Sequence, residues 1–200
     1  MPGRTEPPVP TWPEGLSLYQ RFLSAADEVR TLSSVDALPW CESMRRRVQH
    51  HGWRYDYRAR RVAAGDRLGP LPRFMKELAD RLVGEGFLTE RPDQVIVNEY
   101  EPGQGIGAHI DCVPCFGDVV AILSLGSSCQ MRFRHPSKGL VDIVLEPRSL
   151  LRLAGPARHE WTHEIAARRF DTVECRRRPR GRRVSLTFRT VIVQTAASVR

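Results

Sequence analysis

The chain has 200 residues, 41% of them hydrophobic and 27% charged. This suits one well-buried domain, is short for two, and excludes global disorder. No apolar run approaches the ~18 residues of a membrane helix, and the proline-rich, polar start has no apolar core of a signal peptide, so a cytoplasmic location is expected. The net charge is +8, and every cationic side chain except Lys76 and Lys138 is arginine. The arginines cluster in two segments, 45–61 and 168–183. Arginine forks suit phosphate, and clustering of this kind points to an anionic partner.

In chain order, residues 1–14 are expected to be a flexible arm and 15–195 a single domain. Leu16–Leu23 is apolar and suits a strand. Ser24 followed by Asp27 and Glu28 predicts a capped helix to about Ser33. Trp40–Arg61 is aromatic and basic together. Within it Trp53, Tyr55 and Tyr57 alternate, which predicts one strand face able to stack on bases. Gly65, Gly69, Pro70 and Pro72 predict a loop. Phe74, Leu78 and Leu82 then recur at helical spacing over Arg73–Val83, with Gly84 and Gly86 to end the helix.

From residue 93 the period shortens. Segments 94–100, 118–125, 129–134, 140–145, 149–154 and 184–194 read as strands separated by Gly, Pro or Ser. Many short strands behind two helices predict a mainly β fold, a barrel or jelly roll buttressed by N-terminal helices. The five cysteines are odd in number and lack framework spacing, so reduced thiols are expected. The lone Cys112-x-x-Cys115 has no second pair to complete a zinc site.

Three local patterns carry chemistry. In extended chain His109 and Asp111 project to one side, and with His163 they make a two-histidine, one-carboxylate set. Such a set leaves coordination positions open and suits ferrous iron or a catalytic zinc. On the strand Arg183-Val-Ser-Leu-Thr-Phe-Arg189, both arginines share the face opposite Val184, Leu186 and Phe188, where a guanidinium can grip a carboxylate. Asn98 and Tyr100 share another face and can orient a dicarboxylate.

Together these residues resemble the AlkB family: Asn98-Glu-Tyr-Glu-Pro-Gly-Gln-Gly-Ile-Gly-Ala-His-Ile-Asp111, Ser124-Leu-Gly126, Trp161-Thr-His163 and Arg183-x-Ser-x-Thr-Phe-Arg189. Within the family the chain is most similar to the branch that hydroxylates the wobble uridine of tRNA, through 100–111 and Phe133-Arg-His-Pro136. The resemblance implies a double-stranded β-helix and an oxygenase using Fe(II), 2-oxoglutarate and O2 on nucleic acid. It implies His109, Asp111 and His163 as iron ligands, and Arg189 on the distal carboxylate of 2-oxoglutarate. Asn98, Tyr100 and Ser185 would lie beside that co-substrate, with Arg183 near the iron. The expected reaction is demethylation of alkylated bases in RNA or single-stranded DNA; the alternative is hydroxylation of a wobble-uridine side chain. Trp53, Tyr55 and Tyr57 would hold the base, Arg176, Arg177 and Arg178 would contact phosphates, and a monomer is expected.

Overall fold

The computed structural model describes residues 12–193. Most of the expected arm, and the end of the expected 15–195 domain, lie outside the described residues. Strand β1 (Leu16–Tyr19) precedes helix α1 (Ala25–Asp36). The Ser24 hydroxyl caps α1 by accepting from Asp27 N at 3.1 Å, and Asp27 and Glu28 sit in the first turn, where the helix dipole favours acids. The helix runs past Ser33 because Val35, in its last turn, is fully buried. Helix α2 (Arg73–Gly84) follows strand β2 (Val48–His51) and buries Met75, Ala79 and Leu82 on one side.

The chain continues as β3 (Gln94–Tyr100), β4 (Ile106–His109), β5 (Val120–Gly126), β6 (Cys129–His135), β7 (Gly139–Leu145), β8 (Leu150–Leu153), α3 (Gly155–His159), β9 (Thr162–Ile165), β10 (Phe170–Val173), β11 (Arg176–Pro179) and β12 (Arg183–Arg189). All strand pairs are antiparallel. A six-stranded sheet runs β1-β8-β5-β12-β3-β2, a four-stranded sheet runs β4-β9-β6-β7, and β10-β11 form a separate hairpin. This is the expected jelly roll, its two sheets packed face to face with α1 and α2 against the larger one.

Strand β12 explains how the site is built. It lies between β5 and β3 and all seven of its residues are buried. Val184, Leu186 and Phe188 join Val35, Met75 and Leu82 in the core on the helix side. Burying a side chain of this size is worth about 1.5–3 kcal/mol. Strand alternation therefore fixes the opposite set, Arg183, Ser185, Thr187 and Arg189, toward the second sheet. The strand stops at Arg189, short of the expected 194. Beyond it Thr190 O accepts from Gly117 N at 2.9 Å and Ile192 N donates to Cys115 O at 2.8 Å, so the chain leaves the sheet to pair with the 113–117 loop.

Candidate active site

Antiparallel pairing of β4 with β9 brings the sequence-distant histidine home: His109 and His163 are direct cross-strand partners. Their ring centroids are 4.4 Å apart. Asp111 follows β4 by two residues, and one ligand atom from each of His109, Asp111 and His163 falls within 4.8 Å of the others. The His109 Nδ1 is 2.8 Å from Gly107 O; as the donor to that carbonyl it leaves Nε2 with its lone pair free toward the site. His163 is buried, and burial, with His109 nearby, pushes its pKa down to about 3, so the ring is neutral. Its Nδ1 has no protein partner. Two imidazoles and one carboxylate on one side of a point, with a buried ring nitrogen unpaired, fit a divalent metal and leave the opposite positions open.

Both arginines of β12 point into the same cavity, of about 450 Å³, between the sheets. Arg189 donates from Nη2 to Asp111 Oδ1 at 2.8 Å and from Nη1 to Gln94 Oε1 at 3.4 Å. Burial opposes ionisation of Asp111, but Arg189 together with His163, His109 and Arg158 outweighs it and holds that carboxyl well below the usual range. Arg183, at the far end of the strand, is only 2% exposed. Its Nη2 donates to Ser124 Oγ at 2.8 Å, while Nε and Nη1 are buried without a partner. The sequence expectation placed Arg189 at the distal end and Arg183 at the metal. The structure places them the other way round, because Arg189 is the residue whose guanidinium reaches Asp111.

Ser185 stands in register with Asn98 on one side and Ser124 on the other. Asn98, Tyr100 and Ser185 line the cavity. Asn98 Oδ1 accepts from Arg46 Nε at 3.1 Å, and burial raises the Tyr100 phenol, keeping it a neutral donor. At the rim Tyr55 and Tyr57 meet edge to face, with centroids 5.0 Å apart.

A family profile described as the 2OG-Fe(II) oxygenase superfamily matches residues 15–189. The chain belongs to that superfamily. Proteins of the AlkB branch are among the relatives it matches. The chain is 36% identical over 206 residues to the mouse tRNA (carboxymethyluridine(34)-5-O)-methyltransferase ALKBH8, covering 90% of this chain and 31% of that protein. It is 33% identical over 174 residues to the bovine mitochondrial alpha-ketoglutarate-dependent dioxygenase alkB homolog 7, covering 85% of this chain and 76% of that protein. The solved structure of OsALKBH1 superposes with a TM-score of 0.68 at 19% identity, over 90% of this chain and 98% of that one; this supports the jelly-roll fold. As a 2OG-Fe(II) oxygenase the protein is a dioxygenase that uses iron and 2-oxoglutarate, and the triad above is its metal-site candidate.

Several expected substrate residues lie elsewhere in this oxygenase. Trp53 does not line the cavity, whereas Tyr55 and Tyr57 do. Gly52, at φ +77°, turns the chain out of β2, and Trp53 bridges to Arg67 instead. Its indole N–H donates to Asp93 Oδ2 at 3.0 Å, and its ring packs against the Val62, Cys112, Cys115 and Phe116 cluster. Arg176, Arg177 and Arg178 sit on the β10-β11 hairpin, outside the cavity wall. Arg178 pairs with Glu146 at 3.1 Å, and the Arg177 guanidinium lies 3.7 Å from the Phe170 ring centre. Cys112 and Cys115 are joined as a disulfide, against the expectation of reduced thiols throughout; a three-residue separation and the intervening turn bring the sulfurs together.

Sequence reasoning missed Arg158, in α3, which is 2% exposed. Its guanidinium donates to the carbonyls of Asp111 at 2.9 Å, Phe116 at 3.3 Å and Cys112 at 3.4 Å, and its Nε to that of Gly117 at 3.3 Å. It thereby fixes the backbone that carries the metal carboxylate. No sequence signal marks it, because every acceptor is main chain. Arg46 and Arg60 were also missed as cavity residues; both lie inside the first basic segment.

Proposed function

We propose that this oxygenase acts on nucleic acid, oxidising alkyl groups on bases of RNA or single-stranded DNA and so demethylating them. The observation that carries the reading is the cavity's two-ended form. A metal-ligand triad stands at one end, and a buried guanidinium with two unfilled donors stands at the other. That spacing suits a short dicarboxylate bound between them.

In this reading His109, Asp111 and His163 hold iron, which when bound supplies dioxygen activation. The overall balance is 2-oxoglutarate and O2 consumed, succinate and CO2 released, and one oxygen atom placed in a substrate C–H bond. Arg183 takes the distal carboxylate through Nε and Nη1, with the Tyr100 phenol and Ser185 beside it. Arg189 keeps Asp111 ionised and fixes its orientation. Tyr55 and Tyr57 offer faces and edges at the rim for an unstacked base, a contact worth about 1–3 kcal/mol per base. A hydroxyl placed on an N-linked methyl carbon yields an unstable hydroxymethyl group that loses formaldehyde; on a C-linked side chain the alcohol persists.

A second reading, hydroxylation of a wobble-uridine side chain, is favoured by the likeness to the mouse protein, whose name places it on uridine 34 of tRNA. The chain spans 31% of that protein, so its whole activity does not transfer. No described helix is long and apolar enough to cross a membrane, and a cytoplasmic monomer with access to RNA is part of the proposal. The test incubates protein, Fe(II) and 2-oxoglutarate with methylated oligonucleotides and, separately, with tRNA. Formaldehyde with restored base supports demethylation. A gain of one oxygen on a uridine without formaldehyde supports the second reading. Succinate release that neither substrate stimulates defeats both.

A further inference from the structure

The cavity wall carries more positive charge than the metal and the co-substrate consume. Four arginines, Arg46, Arg60, Arg183 and Arg189, line it, and among the described residues Asp111 is the only acidic one that does. A divalent metal and the doubly charged 2-oxoglutarate cancel one another, so loading the site leaves that excess in place. Arg189 is held by Asp111, and Arg183 is the buried donor at the far end. Arg46 and Arg60 have no such assignment. Within the 45–61 segment, Arg47 is the arginine that forms ion pairs, to Glu42 and Glu99; among the described residues neither Arg46 nor Arg60 pairs with a carboxylate.

The two are placed rather than dangling. Arg46 is half-buried, and its Nε is oriented by Asn98 Oδ1 at 3.1 Å. Arg46 and Tyr57 both line the cavity. Arg60 ends a tight loop in which Asp56 Oδ1 accepts from the backbone N–H groups of Arg58 and Ala59, each at 2.9 Å. Its own backbone is left-handed, at φ 51°. The second basic segment differs. There Arg180 and Arg168 share Asp171, Arg182 joins Glu99 and Asp36, and Arg178 joins Glu146. Four of its eight arginines are thus paired with carboxylates of the fold.

We infer that Arg46 and Arg60 form an anion subsite at the cavity rim, beside Tyr55 and Tyr57, that binds anionic oxygens of the substrate next to the oxidised base. Those oxygens come from a backbone phosphate flanking the base or from a carboxylate carried on the base itself. The inference rests on the proposed function, since it needs a base in the cavity. It makes the rim, not the 176–178 hairpin, the source of charge selectivity. It also separates substrate binding from co-substrate binding, which belongs to Arg183.

The test measures binding to protein loaded anaerobically with Fe(II) and 2-oxoglutarate. Three uridine trinucleotides serve as probes: the natural phosphodiester, its uncharged methylphosphonate counterpart, and the methylphosphonate with a 5-carboxymethyl group on the central uracil. In wild type the natural trimer is expected to bind about tenfold or more tighter than the neutral one. In R46Q/R60Q that advantage falls below about threefold while affinity for the neutral trimer holds. R60Q alone, at an exposed side chain, loses about threefold and guards against misfolding of the double variant. A gain seen only with the carboxymethyl probe keeps the subsite and assigns the anion to the base. Equal binding of all three probes in wild type, or an undiminished preference in the double variant, overturns it. Failure of the underlying function would appear differently, as no succinate formed with Fe(II), 2-oxoglutarate and RNA or single-stranded DNA present.

Discussion

Replacing Arg183 with methionine should push stability and co-substrate affinity in opposite directions. The wild-type guanidinium is 2% exposed, and its Nε and Nη1 have no partner without a bound carboxylate. An unfilled buried donor costs about 1–3 kcal/mol. Methionine fills similar space without those donors and sacrifices only the bond to Ser124 Oγ, worth about 1 kcal/mol. With two such donors, the net gain for the ligand-free protein is about 1–5 kcal/mol, or a rise in Tm of roughly 2–20 °C at ~2–4 °C per kcal/mol for a chain of this size. With 2-oxoglutarate the sign reverses. Two charge-assisted bonds to the distal carboxylate, each worth about 1.5–3 kcal/mol, are lost, which weakens binding by roughly a hundredfold or more. Differential scanning fluorimetry with the inert metal Mn(II), at zero and saturating 2-oxoglutarate, reads both effects in one experiment. A variant that melts lower than wild type yet keeps the full 2-oxoglutarate shift would refute the assignment of Arg183 to the distal carboxylate.

Other consequences follow from the same contacts. Arg158→Met should behave oppositely to Arg183→Met, because all its donors are satisfied: stripping four buried carbonyls of their partner should cost about 3 kcal/mol or more in urea unfolding, and a change within ~0.5 kcal/mol would deny it a structural role. Trp53→Ala should lower stability by about 2–4 kcal/mol and leave the oligonucleotide affinity of the folded protein intact, whereas Tyr55→Ala should weaken that affinity by about 1–3 kcal/mol; the reverse pattern in fluorescence anisotropy would restore Trp53 to the rim. Asp171 is held below the ordinary carboxylate pKa of 3.8: burial opposes ionisation, but bonds from Arg180 and Gln130 N, with Arg168, prevail. Its folded pKa is therefore depressed, so its contribution is present above the unfolded value and is lost as the pH falls through the folded one. Asp171→Asn should accordingly flatten the fall in stability below about pH 4, and an unchanged acid limb would contradict the pairing.

Much of the site was legible because strand geometry is periodic. His109 and Asp111 are two residues apart, and Arg183 and Arg189 share the parity that the apolar Val184, Leu186 and Phe188 dictate. His163 was found by its motif, but its register opposite His109 is a long-range pairing that β4 and β9, only four residues each, do not announce. Which arginine serves which end of the cavity was read the wrong way round, since parity says which face a side chain takes and not how far it reaches along the cavity. Trp53 misled for a related reason: alternation does not say which side chains reach the cavity, and Trp53, packed like Tyr55 against the Phe116 cluster, does not line it. Arg178 on the hairpin and Arg182 after it looked free because their acids, Glu146 for the first and Glu99 and Asp36 for the second, are remote in sequence. Arg158 carried no signal because backbone carbonyls have no residue identity.

The most direct test of the central claim is succinate production from 2-oxoglutarate under air, with and without Fe(II), in wild type and in His163→Ala. If three side chains from β4, β9 and the chain after β4 hold the reactive metal, wild type forms succinate only with iron and the variant forms none above background while remaining folded. Iron-dependent succinate at the wild-type rate from His163→Ala would contradict it.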